Sequence, residues 1–504
     1  MIPRLVPSRL GQPTMLVGNN LIHSSYNPLY EAERFVKALN IPHNCENLII
    51  LEPGLGYCIP FIKKSFPNKR ILVIHAINFL KHVSESFDDE AHKVWFPEGD
   101  IDLLDFLEQE IPEGSHSFLI EWKPSAVAFG QQYQNLWNIV QQFIKREAAN
   151  IRTTEGFGKR WIKNSIKNLA RLQNPLYFNA GTIPVIVTGA GPSLEETIPL
   201  IYKTLQEGPA CIIAAASSVP ALLYHHIIPS LSVATDGGTW ATFHLIDQSR
   251  RVRLFPAFSS SKAEGMNVLP FPLATSLNAY LSSHVAQVPQ LVISDGSIWQ
   301  TKLLQKLEVP YIQLPQRGTV SATIIDIAMA LTSGPIYITG MDMAHRDMMT
   351  HARPYGLDFY YDQKVNRFSP LYHLQFKRAL IDANYEALSI YADWFNWYFS
   401  DKTERIFVIG TKHPRFPMLT AVERISWQSY EAPSFYILPR KNGNIQQRIQ
   451  SLLLLLIQEL QTSPEHELMR KELSFLLTGD KEALSSSEII QQVSNLFSQG
   501  VIHG

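Results

Sequence analysis

The sequence is short of cysteine. Only Cys45, Cys58 and Cys211 occur in 504 residues, with no Cys-x-x-Cys spacing and no paired histidines nearby, which excludes a disulfide framework and a cysteine-based zinc site. Each reads as a small buried apolar side chain in a reducing compartment. Charge of one sign is also missing. Forty-four Lys and Arg against 45 Asp and Glu leave a formal net charge of -1, so no global field gathers a polyanion, and nucleic acid is not expected as a partner. Long apolar runs are absent too: Leu452 to Ile457 falls far short of the roughly 20 residues that span a bilayer. Pro3 and Pro7 interrupt the opening residues where a secretory signal needs a continuous apolar stretch. The expectation is a cytoplasmic protein without membrane insertion.

What is present is an apolar fraction of 45%, enough for ordinary globular folding, in a chain too long for a single core. The reading is α/β: an N-terminal α/β domain over 1–150, a central doubly wound parallel-sheet domain over 151–420 and a helical C-terminal domain over 421–504. In the first, 48–52 and 71–75 read as parallel strands around the turn Pro53-Gly54-Leu55-Gly56-Tyr57. Cofactor sites on such units place a carboxylate near the end of the second strand. His75 and Ala76 stand there instead, and the turn reads as a tight turn. Asp100 and Asp102 resemble a metal-binding Asp-x-Asp but precede a helical run, where capping explains them.

A polar helical connector follows over 135–174. From Pro184 onward, short apolar runs alternate with helical segments, the pattern of a parallel sheet covered on both faces. The predicted strands are 184–188, 211–216, 231–235, 254–258, 291–294, 311–314 and 335–339. A long aromatic-rich helix is predicted over 371–399. From 443 onward the pattern is amphipathic, with the leucines at 452–456 as an internal packing face.

Ligands of open parallel sheets bind beyond the carboxyl ends of the strands. There stand Gly189, Gly191, Pro192 and Ser193; then Ser217 and Ser218; Asp236; Ser259 to Lys262; Asp295; Arg317 with Gly318, Thr319 and Ser321; and Gly340 with Asp342. In the first turn, glycines let the backbone approach an anion and Pro192 starts a helix whose exposed amides face a phosphate. The alternative for Ser193 is a capping box with Glu196. Leu194 stands where a dinucleotide fingerprint has its third glycine, and no Gly-Lys-Ser/Thr occurs, so an NAD site is disfavoured and a P-loop is absent. Asp342 and His351 are acid-base candidates on the loop after the last predicted strand.

At these residues the sequence resembles the motility-associated factor (Maf) family of flagellin glycosyltransferases, whose central domain is related to an archaeal hydroxymethylpterin pyrophosphokinase. The resemblance lies in His23-Ser24-Ser25-Tyr26-Asn27-Pro28 with Glu31, in Trp161 to Leu172, and in Val187 to Leu194. It continues through Ala234-Thr235-Asp236, Gly318 to Ser321, Gly340 to Ala344 and Thr350-His351-Ala352. It implies a Rossmann-like, sialyltransferase-like central domain. The implied activity is metal-independent transfer of a nonulosonic acid, pseudaminic or legionaminic in type, from a CMP-activated donor to Ser or Thr of flagellin. No cofactor beyond that substrate is implied. Gly189, Gly191, Pro192, Ser193, Ser217, Asp236, Gly318, Thr319 and Ser321 would bind the donor, with Asp342 and His351 catalytic. The alternatives from other classes are pyrophosphoryl transfer from ATP to a pterin alcohol and a non-catalytic flagellin-binding factor.

Overall fold

Short runs of consecutive apolar residues suit strands covered on both faces, and the two parallel sheets of this protein contain them, as in Asn47–Leu51 and Cys211–Ala215. The computed structural model describes residues 3–79, 92–97, 99, 101–112, 114–245, 269–283, 285–316, 318–346, 349–383, 387–400, 402–425, 431–440 and 443–498. The predicted strand 254–258, Asp100, Ser259 to Lys262 and Arg317 lie outside the described residues. The chain divides into two compact units, Met1–Thr153 and Thr154–Gly504.

The first unit opens with an antiparallel sheet of β1 (Arg4–Pro7), β2 (Pro13–Val17) and β3 (Asn20–Leu21). A parallel sheet follows, built from β4 (Asn47–Leu51), β5 (Arg70–Ile74), β6 (Lys93–Trp95) and β7 (Ser117–Glu121) in the order β6-β5-β4-β7. Every residue of β4 is buried, Leu48 and Ile50 in one core and Ile49 and Leu51 in the other. Asp102 caps the helix Leu103–Glu110 by accepting the Leu104 amide, the role expected of it.

The connector is one helix, Gln131–Arg171. In the second unit β8 (Leu176–Asn179) pairs antiparallel with a late strand, β18 (Ser434–Ile437). Between them in sequence, the described residues contribute nine strands to the central sheet, all parallel: β9 (Val185–Thr188), β10 (Cys211–Ala215), β11 (Leu231–Ala234), β12 (Leu273–Ser276), β13 (Gln290–Ser294), β14 (Tyr311–Gln313), β15 (Ile336–Thr339), β16 (Ile406–Ile409) and β17 (Thr420–Val422). Their order is β14-β13-β12-β11-β10-β9-β15-β16-β17. Alternation along the strands feeds two cores. Val185 and Val187 face the helices Val320–Leu331 and Ala387–Phe399, and Ile186 faces Ser193–Glu207 and Val219–Tyr224. The sheet is therefore doubly wound, as expected, but β12, β16 and β17 extend it beyond the predicted strands. The segment predicted as one helix is described as Leu371–Ala383 and Ala387–Phe399.

The described residues end with three helices: Ile445–Thr462, His466–Thr478 and Ser486–Ser498. Leu452, Leu456 and Leu460 form a core with Met469, Leu473 and Val493, against Ile162, Ile166 and Leu169 of the long helix and Leu303 of the helix Ile298–Lys306. No described helix is long and apolar enough to cross a membrane.

Candidate active site

From β9 the chain winds one way through β10 to β14, then returns to lay β15 on the other side of β9. The order reverses between β9 and β15, and the crevice beyond the carboxyl ends of those two strands is where an open parallel sheet binds its ligand. The loops that flank it are Gly189 to Ser193 and the residues from Gly340 onward.

These two loops are fastened together. Gly189 N–H donates to Thr339 O (2.8 Å) and Gly191 N–H to Gly340 O (2.7 Å). Both glycines are required by this closeness, since a Cβ at Gly189 would overlap the Gly340 carbonyl and one at Gly191 the Asp342 carboxylate. Ser193 N–H donates to the two Asp342 oxygens (3.2 Å each), Ser193 O–H donates to Oδ2 (2.8 Å), and Gly340 N–H donates to Ser193 Oγ (3.2 Å). The anion at the start of the helix Ser193–Glu207 is thus a carboxylate of the protein itself, which the helix dipole and exposed amides favour. Two readings change in consequence. The amides of Gly189, Gly191 and Ser193 are engaged within the chain and do not form an open phosphate cradle. Nor does Ser193 form a capping box, because Glu195 accepts the Arg353 amide (2.7 Å) and Glu196 pairs with Arg346 (2.8 Å).

Those same contacts fold the loop after β15 over the turn, and Ala352 N–H completes the closure by donating to Ala190 O (2.8 Å). His351 is thereby placed beside the switch point. Its Nδ1 lies 2.9 Å from Thr350 Oγ1, and its ring stacks on Tyr355 at 4.1 Å between centroids. Tyr355 also meets His244, which follows β11, at 4.8 Å. Burial pushes the His244 imidazole down to about 4, so it is neutral at pH 7. Met349, Thr350, His351, Arg353, Tyr355, Asp358 and Gln375 line a small pocket here of about 10 Å³, room for about one water.

The other expected residues are spread along the rim. Ser217 is half-buried in the turn Ala216–Ser218 after β10, and Ser218 beside it holds Thr188 of β9 (3.0 Å). Asp236 is exposed after β11 and accepts its own Gly238 amide (2.7 Å), an Asx-type turn. Gly318, Thr319 and Ser321 follow β14, four strands beyond β10, but the helix they open crosses the face of β9, β10 and β11. Thr319 caps that helix by accepting the Ser321 amide (3.3 Å), and Gly318 O accepts from Tyr391 (3.0 Å).

Beyond Tyr355 and His244, two further charged or titratable residues near the site were not anticipated. His413, after β16, accepts the Arg415 and Phe416 amides on Nδ1 (3.1 and 3.2 Å). Burial lowers its pKa, while the nearby Asp342 carboxylate and the Met341 backbone pull it up. The missing signal was β16 itself, for without that strand His413 has no place at the rim. Arg353 adds a cation to the pocket lining and follows the anticipated Thr350-His351-Ala352. The rim is also held from below: Asn164 donates to Gly237 O and Asn278 O, and Asn168 donates to Leu277 O and Ala279 O. Trp161 packs against Gly237 so closely that a Cβ there would meet its indole at 2.8 Å. These bonds give the Trp161 to Leu172 segment its physical role.

In the first unit the Gly54–Gly56 turn is filled by the protein. His23 Nε2 accepts the Leu55 amide (2.8 Å), and a Cβ on Gly54 would come within 2.6 Å of the same ring. Glu52, wholly buried, accepts the Ala76 amide (2.6 Å) and meets His75 Nδ1 (3.2 Å).

Residues 159–348 match the family described as 6-hydroxymethylpterin diphosphokinase MptE-like. An uncharacterized protein of Treponema pallidum (strain Nichols) is 26% identical over 316 residues, which are 62% of this chain and 64% of that protein. A solved structure of a Maf glycosyltransferase from Magnetospirillum magneticum AMB-1 is similar at a TM-score of 0.47 and 12% identity, over 98% of this chain and 85% of that one.

Proposed function

We propose that this chain is a glycosyltransferase that moves a nonulosonic acid of the pseudaminic or legionaminic type from its CMP-activated form to Ser or Thr hydroxyls of flagellin. The observation that carries this reading is the closure of the β15 loop over the turn after β9, which sets a histidine–hydroxyl pair and an arginine at the switch point. In this scheme His351 takes the proton of the acceptor hydroxyl as its oxygen bonds to the anomeric carbon. The bond from that carbon to the phosphate oxygen breaks, and CMP leaves with the electron pair. Arg353 balances the phosphate charge, while Ser217, Asp236 and the Gly318-Thr319-Val320-Ser321 helix start hold the nucleotide along the rim. Asp342, for which the resemblance implied a catalytic role, instead positions the two loops through Ser193 in this scheme, which needs no metal. Residues before 159 and after 348 support the reading because the sequence resemblance implies an additional N-terminal α/β part and C-terminal helices around the shared core.

The match of 159–348 to the diphosphokinase family favours a second reading, pyrophosphoryl transfer from ATP to a pterin alcohol. A ligand of the folded state stabilises it by about 2.7 kcal/mol at 100 times its Kd. CMP should therefore raise the unfolding midpoint and ATP with Mg²⁺ should not; the reverse pattern transfers the assignment to the second reading. Intact-mass measurement of flagellin from cells with and without the protein tests the acceptor, and an unchanged mass refutes it.

A further inference from the structure

On the second unit, away from the carboxyl rim, the helix Ile445–Thr462 borders a cleft of about 450 Å³, inside the roughly 300–1,000 Å³ range of small-molecule sites. Its walls are hydrocarbon: Leu169, Leu307, Leu452 and Leu455 line it. Its charged content is cationic, for Arg440 and Arg448 stand in the lining beside the neutral Ser451 and Gln458. Neither guanidinium has a carboxylate partner among the described residues. Arg448 Nη2 donates to Leu172 O (2.9 Å), and Arg440 Nη1 is buried with no acceptor. Arg440 is held in place through its backbone, whose N–H donates to Gln173 O (2.8 Å). Burial and the neighbouring Arg448 both disfavour the Arg440 charge, yet a guanidinium stays protonated in proteins. Two like charges facing leucines with a buried donor unused is a costly arrangement that an oxyanion relieves, because charge-assisted bonds to guanidinium are the strong ones.

We propose that this cleft is a binding site for an anionic amphiphile: a carboxylate or phosphate head held by Arg440 and Arg448, with an aliphatic chain along Leu169, Leu307 and Leu455. The size favours a small molecule over a docked helix, and the paired cations select the head group. The site is separate from the proposed transfer chemistry and stands or falls without it.

Calorimetric titration of the full-length protein tests it with decanoate, decyl phosphate and decanol, all below micelle-forming concentration. At least one of the two anions should bind saturably at one per chain, and the tighter of them identifies the head group. Decanol should bind at least tenfold more weakly than that anion, and acetate or inorganic phosphate alone should do the same. The variant R440Q/R448Q should lose at least tenfold in affinity for the anion while retaining its circular dichroism spectrum. Should it not fold, Leu454→Trp serves instead, since Leu454 is 67% exposed at the cleft and a larger ring there obstructs it without entering the core; this variant should abolish anion binding. Equal affinity for decanol and the anions, no saturable binding of either anion, or undiminished binding by the arginine or tryptophan variant overturns the proposal.

Discussion

The contact between Asp342 and Ser193 makes a quantitative claim about how the core of the second unit is closed. Asp342 receives the Ser193 amide and hydroxyl, so Asp342→Ala removes a cap and a favourable charge at once. A lost N-terminal cap costs about 0.5–2 kcal/mol, and a charge at a helix start contributes about 0.3–1 kcal/mol, up to about 2 when partly buried. Both figures describe the same contact and do not add, so the expected loss is roughly 2 kcal/mol. Ser193→Ala removes the hydroxyl and leaves the Gly340 amide without its acceptor, costing about 1–2 kcal/mol. Because the two side chains touch, the double variant should cost less than the sum by about 1 kcal/mol, within the usual range for coupled neighbours. Urea unfolding of wild type, both single variants and the double variant supplies the four free energies. An Asp342→Ala variant as stable as wild type, or strict additivity, refutes the proposed closure.

Other outcomes follow from buried groups. Burial lowers the His23 pKa to about 4, so the unfolded chain takes up a proton that the folded one refuses between about 6.5 and 4. Stability of the first unit should thus fall as pH drops through that window, by about 3 kcal/mol at most; hydrogen exchange across β4 measures it, and His23→Gln should flatten the dependence. Burial raises Glu472 to about 7, while it accepts the Ile298 and Trp299 amides (2.9 and 3.2 Å). Its folded form keeps a proton that the unfolded chain has lost, so stability should decline as pH rises from about 4.5 through 7. Urea midpoints at pH 5 and pH 8 should show this decline in wild type and not in Glu472→Gln. His351→Ala should lower the transfer rate by about 10²–10⁴-fold with folding intact; a rate within threefold of wild type removes it as the base.

Among the legible strands were short apolar runs that end at polar turns, such as Val185–Thr188 and Ile336–Thr339. Ile406–Ile409 has the same composition but follows an aromatic helix, and a short apolar run does not itself distinguish helix from strand. Leu273–Ser276 sits among prolines, where its identity depends on pairing with β11 and β13. The positions at the carboxyl rim were legible because each follows a strand. Their partners were not. Ser193 shows the reason: the nearby Glu196 offers a capping box in sequence, yet the cap comes from Asp342, 149 residues away. Only the placement of β15 beside β9 brings that carboxylate into reach.

That self-capping also decides where a donor phosphate can lie. An anion entering the turn at Gly189 to Ser193 must displace the Asp342 carboxylate and break three hydrogen contacts that hold the loops together. If the phosphate did so, Asp342→Ala would remove an internal competitor and tighten CMP binding. If the phosphate lies instead toward Arg353 and the Thr319-capped helix start, the same variant removes no competitor. It only loosens the β15 loop that carries Arg353 and His351, which weakens CMP. The engaged amides favour the second case, so CMP should bind Asp342→Ala no more tightly than wild type, and a severalfold gain in affinity by calorimetry would return the phosphate to the glycine turn.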